Sequence, residues 1–195
     1  MHGTLNVNPS AFRLPLYFDA TRMQTDLERV QQSAWVAHFN LRMYEGDWSV
    51  VPLRAVPGSP IPTFSLPNET RQEDTPLLRD CDYFQQVLKS FQCPLVSARL
   101  LRLGAGAVIK EHCDPMMNLD HSEVRIHVVV ATNPHVECCI DGVTRHWAAG
   151  ECWYADFSKP HSFFNRGTTE RVHIALDCVL NDWLRDVLQA RFTLA

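Results

Sequence analysis

No stretch of the 195 residues is apolar for long enough to cross a bilayer, which excludes a helical membrane span. No run of Lys or Arg appears, and the net charge is −4. The chain therefore offers no basic field to a phosphate backbone, and nucleic-acid binding is not expected as its main function. Internal repeats and low-complexity tracts are missing as well. The opening MHGTLNVNPSAFRLPLYFDA has neither a basic start nor a continuous apolar run, so no signal peptide is expected. The seven cysteines, at 81, 93, 113, 138, 139, 152 and 178, are odd in number and scattered. They read as reduced, mostly buried thiols of a cytoplasmic protein rather than as a disulfide framework.

What is present is ordinary for a globular chain: 46% hydrophobic and 21% charged residues, in a length that suits one domain with a sizeable core. Residues 1–96 read as helices, strands and a long loop packed on a barrel. In DATRMQTDLERVQQSAW, Met23, Leu27, Val30 and Ala34 share a helical face, with Asp19 or Thr21 as N-cap. HFNLRMYEGDWSVVPLR reads as strand, Gly46 turn and strand. The Pro-rich polar segment 54–76 is expected to be a long surface loop. DCDYFQQVLKSF spaces Tyr83, Phe84, Val87, Leu88 and Phe91 as a helix.

From residue 97 to 180 short strands follow one another: SARLLRL, AVIKEH, EVRIHVVVA, VECCI, VTRHWA, GECWYADF and ERVHIALDCVL. Asp141-Gly142 between two of them predicts a type I′ hairpin. A capped helix over 181–195 closes the chain, with Trp183, Leu184, Val187, Leu188 and Phe192 apolar. Helices first and strands afterwards predict an α+β, mainly β chain whose strand-rich part is a β-sandwich or cupin-like jelly roll.

In KEHCDPMM, His112 and Asp114 stand two residues apart, a spacing that puts both on one face of an extended chain. They could fill two positions of a 2-His-1-carboxylate facial triad, which leaves three cis positions open on Fe(II). The third candidate is His161 in ADFSKPHSFFNRG, read as lying at the end of a strand. It is preferred over His121, His127, His135, His146 and His173 because the strands from Val124 to Phe157 suffice to return a jelly roll to its neighbour. An isolated HxD is a weak signal, since two such residues often lie together on a solvated turn. In TERVHIALD, Arg171, His173, Ala175 and Asp177 share one strand face. Arg171 is placed to clamp the distal carboxylate of 2-oxoglutarate with its planar fork, the alternative being a surface arginine. Arg125 and His127 share a face of EVRIHVVVA, either toward solvent or toward a cavity. Cys113 reads as packing rather than a ligand, Trp153 and Tyr154 as core and cavity wall, and YEGDW as an aromatic turn or part of a substrate lid.

The pieces LRLGAGAVIKEHCD, VRIHVVVATNP, DGVTRHWAAGECWYADFSKPHSFFNRG and RVHIALD resemble, in this order, the aspartyl/asparaginyl β-hydroxylase family of Fe(II)/2-oxoglutarate dioxygenases. Bacterial free-proline hydroxylases share similar motifs, and WVAHFNLRMYEGDWSVVPLR resembles the N-terminal part of stand-alone bacterial members. The resemblance implies a double-stranded β-helix flanked by N-terminal and C-terminal helices. It makes His112, Asp114 and His161 the iron ligands and catalytic centre, Arg171 the 2-oxoglutarate anchor, His127 a cosubstrate-side contact and Arg125 a substrate-carboxylate contact. It further implies O₂ as co-reactant, succinate and CO₂ as products, and a hydroxylated small-molecule or peptidyl substrate. The animal peptidyl enzymes lack an acid at the position of Asp114 and carry a serine where this chain has Leu101, which puts the chain nearer the bacterial members. Two other readings remain: a cupin metalloenzyme that does not use 2-oxoglutarate, and a non-catalytic sensor of a small acid.

Overall fold

The structure, a computed structural model, describes residues 9–57 and 72–190. In chain order its strands are β1 (Ala11–Tyr17), β2 (Val36–Ala37), β3 (Tyr44–Glu45), β4 (Trp48–Ala55), β5 (Glu73–Asp74), β6 (Leu95–Leu103) and β7 (Val108–His112). They continue with β8 (Glu123–Ala131), β9 (Val136–Ile140), β10 (Val143–Arg145), β11 (Glu151–Ala155), β12 (His161–Asn165) and β13 (Arg171–Val179). The helices are α1 (Ala20–Leu27), α2 (Pro76–Arg79), α3 (Asp82–Lys89) and α4 (Asp182–Ala190).

Two antiparallel sheets face each other. The larger runs β1-β11-β8-β13-β6-β4-β2, with β5 on β4, and the smaller runs β10-β9-β12-β7-β3. The non-sequential order within each sheet is that of a double-stranded β-helix, as expected from the strand-rich half. Alternation along the strands decides which side chain goes where. Val124, Ile126, Val128 and Val130 of β8 and Val172, Ile174, Leu176 and Cys178 of β13 form the outer face of the larger sheet. They pack under Met23 of α1, Phe84 and Val87 of α3, and Leu184 and Leu188 of α4. The intervening residues point inward. There, Val129, Trp147, Trp153, Phe157 and Phe163 fill the gap between the sheets at one end.

Several local expectations meet a different tertiary outcome. Helix α1 ends at Leu27, eight residues long, with Asp19 accepting from the Arg22 amide at 3.1 Å as N-cap. Ala34 lies in a separate 3₁₀ turn. Tyr44–Glu45 and Trp48–Ala55 are strands as expected, but Gly46 does not fold them into a hairpin: β3 pairs with β7 of the smaller sheet and β4 with β6 of the larger. β1 is a strand that the sequence reading passed over. The N-terminal part thus supplies β1, β2 and β4 to the larger sheet instead of merely packing on the barrel. The ends of the 54–76 loop pair as strands, Arg54 with Asp74 and Ala55 with Glu73, and 58–71 lie outside the described residues. Residues 191–195, the end of the expected last helix, lie outside them as well. The Asp141-Gly142 turn has φ of 51° and 73°, the positive pair a type I′ turn needs.

Gly150 adopts φ 88°, and a Cβ there would stand 2.5 Å from the Phe18 carbonyl oxygen. Its own carbonyl and amide bond to Phe18 and Val129, tying α1's entry to the larger sheet. Gly150→Ala is expected to destabilise the protein by about 2 kcal/mol in urea unfolding, since strain and a backbone clash coincide. A loss under a few tenths would mean that the turn relaxes freely.

Candidate metal centre

Strands β7 and β12 are neighbours in the smaller sheet, and His112 and His161 are directly paired. The strand pairing therefore brings together two histidines separated by 49 positions, at a ring separation of 4.2 Å. His161 opens β12, directly after Pro160, rather than ending a strand. Asp114 lies just past the end of β7, where its amide donates to the Phe157 carbonyl at 2.8 Å. One ligand atom from each of His112, Asp114 and His161 lies within 4.8 Å of the others.

The two imidazoles are oriented alike. His112 Nδ1 meets the Lys110 carbonyl at 2.8 Å, and His161 Nδ1 meets the Lys159 carbonyl at 3.0 Å. A carbonyl can only accept, so each Nδ1 carries the proton and each Nε2 is left as a lone-pair donor. That is the arrangement in which a histidine binds a metal. Burial lowers the His161 pKa to about 4, keeping it neutral at ordinary pH. With two nitrogens and one carboxylate on one side and the cavity on the other, the donor set fits a first-row divalent ion held facially.

The cavity lies between the sheets and measures about 340 Å³. His38, Phe39, Asn40 and Met43 wall its mouth, and His38 stacks on Trp48 at 3.5 Å. Of the YEGDW segment, Trp48 lines the cavity. Arg125, His127 and Arg171 point into it from the larger sheet, so the solvent-facing alternative for Arg125 and His127 does not hold.

Arg125 is engaged on two sides. It is ion-paired with Asp114, and its Nε donates to Asp177 Oδ1 at 2.7 Å. Arg99 Nη1 donates to the other oxygen of Asp177 at 2.9 Å. Burial alone would raise the Asp177 carboxyl, but Arg125 and Arg99 outweigh it and hold the group well below the usual carboxylate range. Burial likewise would raise Asp114, and Arg125 leads the charges that lower it instead. A chain Arg99–Asp177–Arg125–Asp114 thus fixes the Asp114 carboxylate beside the two histidines. Arg99 was missed in the sequence. Its signal was a charged residue alternating with Leu101 and Leu103 on one face of the strand. Asp177 was placed on the right face but given no role.

Arg171 is 1% exposed; among the described residues it has no carboxylate partner, and its Nη2 has no hydrogen-bond partner. Burial lowers its pKa to about 10, so it stays protonated at neutral pH. Other expectations settle differently. Cys113 is exposed, not packed. Trp153 stacks on Trp147 and Tyr154 packs on Phe12, so both are core and neither walls the cavity.

Comparison with known proteins adds the following. The family model described as aspartyl/asparaginyl beta-hydroxylase matches residues 18–180. An L-proline cis-4-hydroxylase from Rhizobium meliloti (strain 1021) is 27% identical over 165 residues, which are 82% of this chain and 57% of that protein. The chain thus spans less than two thirds of that relative's length. Among solved structures, an oxidoreductase of the 2OG-Fe(II) oxygenase family from Burkholderia pseudomallei superposes with a TM-score of 0.57 at 14% identity, covering 88% of this chain and 86% of the other. A Pseudomonas putida prolyl-4-hydroxylase gives 0.52 at 12% identity, covering 88% and 94%. At those identities the likeness is one of fold.

Proposed function

Since the chain belongs to the aspartyl/asparaginyl β-hydroxylase family, we propose that it is an Fe(II)- and 2-oxoglutarate-dependent dioxygenase that hydroxylates a C–H bond of a small carboxylate-bearing substrate, a free amino acid foremost. The observation that carries this reading is the coexistence, in one cavity, of the three-donor cluster and a buried guanidinium with an unpartnered nitrogen. His112, Asp114 and His161 would hold the iron. Arg171 would take the distal carboxylate of 2-oxoglutarate, and His127 a nearer oxygen. Bound iron would let O₂ act as the oxidant, one oxygen atom going into succinate as 2-oxoglutarate is oxidised and loses CO₂, and the other into the hydroxylated substrate.

What the chain's own residues do is orient and exclude. Arg125 holds the Asp114 carboxylate in place, and Arg125 and Arg99, although ion-paired with Asp177, line the cavity as the guanidinium groups that a substrate carboxylate would meet. Phe157, Phe163, Ile109 and Val50 keep the cavity floor apolar and limit water. A cavity of about 340 Å³ is near the lower end of small-molecule sites, roughly 300–1,000 Å³, which favours a free amino acid over a residue within a folded partner. The name of the Rhizobium relative points the same way.

The test is an anaerobic titration of apo-protein with Fe(II) and 2-oxoglutarate, following the visible charge-transfer absorption of the chelated metal. Wild type is expected to develop the band, and His112→Ala to lose it through a metal affinity reduced at least a hundredfold, about 3 kcal/mol. Iron bound without any band would favour a cupin metalloenzyme that does not use 2-oxoglutarate. A band without succinate formation across an amino-acid screen would favour a sensor.

A further inference from the structure

Three buried side chains on the inner face of the larger sheet form one hydrogen-bonded line. Arg171 Nε lies 3.0 Å from His173 Nε2, and His173 Nδ1 lies 3.2 Å from His127 Nδ1. The far nitrogen of the line, His127 Nε2, is buried with no hydrogen-bond partner among the described residues, in a side chain that lines the cavity. Exposure is 1% for Arg171, 0% for His173 and 3% for His127, so water does not compete for these contacts.

Only one arrangement of protons satisfies this line. A guanidinium nitrogen can only donate, so His173 Nε2 must accept. Burial, followed by the charge of Arg171, lowers both imidazoles well below the ordinary histidine value, so each is neutral with a single N–H. His173 therefore carries its proton on Nδ1 and donates to His127 Nδ1. His127 is left with its proton on Nε2, a buried donor with no partner among the described residues, in a ring that lines the cavity.

We propose that His173 is a positioning residue: it transmits the donor character of Arg171 to His127 and locks His127 as the Nε2–H tautomer. An anionic ligand that settles against these two lining residues would then meet two coupled donors, Arg171 Nη2 and His127 Nε2–H, instead of a donor and a lone pair. The chemical class this selects is a small dianion with acceptor oxygens at both ends. Leu101, which faces His173 across the β6–β13 pair and also lines the cavity, offers no hydrogen bond of its own. The tautomer stands on the geometry alone; its use in holding 2-oxoglutarate rests on the function proposed above.

The decisive measurement is a long-range ¹H–¹⁵N correlation spectrum of ¹⁵N-labelled, metal-free protein, with the His127 ring signals assigned by their loss in His127→Asn. Wild type is expected to show His127 with a protonated Nε2 and a bare Nδ1. In His173→Phe that pattern should give way to a mixture of tautomers. In His173→Gln it should persist, because the amide oxygen can accept from Arg171 and the amide NH₂ can donate to His127. A wild-type His127 protonated on Nδ1 would overturn the proposal, whether or not the variants fold. So would an unchanged pattern in a folded His173→Phe protein. In the anaerobic titration, His173→Phe should need about tenfold more 2-oxoglutarate at unchanged Fe(II) affinity, and His173→Gln should recover most of that loss. An equal fall in iron affinity would count against the positioning role. The expected tautomers in a wild-type protein that never binds 2-oxoglutarate would support the relay and sink the proposed cosubstrate instead.

Discussion

Asp177→Ala is expected to destabilise the protein by about 3–5 kcal/mol, the cost of removing one partner from a buried ionic network. The carboxylate is 1% exposed and lies between two guanidiniums, Arg125 at 2.7 Å and Arg99 at 2.9 Å. Without it both cations stay buried, and only Asp114 remains to balance Arg125. Asp177→Asn keeps the volume and part of the hydrogen bonding, so its loss should be smaller. The pH dependence of that loss checks the mechanism. The folded-state pKa of Asp177 lies below the unfolded one, so its stabilisation is complete above the unfolded value, about 3.9, and fades as pH falls through the folded value. The difference between wild type and Asp177→Asn in urea unfolding should therefore be full at neutral pH and shrink below about pH 4. A difference that does not change with pH would mean that packing, not charge, sets the cost.

Much of this network could be read from the chain beforehand, and the part that could not has a physical reason. His112 and Asp114 declare their common face through a spacing of two, and Arg125/His127 and Arg171/His173 do the same within apolar strands. Periodicity thus reveals which side chains travel together. It does not reveal which side of a sheet is the inside, and so Arg125 and His127 remained ambiguous until α1, α3 and α4 were seen to cover the valine face. Pairings across the sheet are equally hidden. Nothing local in SARLLRL links Arg99 to an aspartate 78 positions later; the β6–β13 register does. The length of α1 was overestimated because Val30 and Ala34 continue the apolar spacing. In the fold these two residues pack on the same core from a bend and a separate 3₁₀ turn. Cys113 alternates away from the ligands as the spacing requires, but the chain leaves β7 at His112, so the thiol meets solvent instead of core.

Arg171→Met should separate stability from function more sharply than any other single change. In the free protein the guanidinium is almost wholly buried and, among the described residues, has no carboxylate partner and leaves Nη2 without a hydrogen bond. A desolvated cation so placed destabilises the fold, although the Cys138 side chain, the Phe163 ring, 4.9 Å away, and His173 offset part of that cost. Replacing it with an apolar side chain of similar length is therefore expected to leave the stability of the free protein unchanged or raise it by about 1 kcal/mol. Binding should move the opposite way. Truncating one member of a buried charge pair costs about 2–5 kcal/mol, so the 2-oxoglutarate dissociation constant should rise roughly 30-fold to several thousandfold. Fe(II) affinity should hold, because Arg171 touches none of His112, Asp114 or His161. Arg171→Lys should fall between, since one ammonium cannot both donate to His173 and present a fork to a carboxylate. Thermal unfolding gives a second readout. Saturating Fe(II) and 2-oxoglutarate should raise the wild-type midpoint well above that of the Fe(II)-only protein, and the increment should vanish in Arg171→Met. An Arg171→Met protein that loses iron and cosubstrate together, or unfolds without either, would show that the arginine supports the barrel. One that is stable, binds iron and ignores 2-oxoglutarate would show a fold that holds an unpaired charge in place for an incoming dianion.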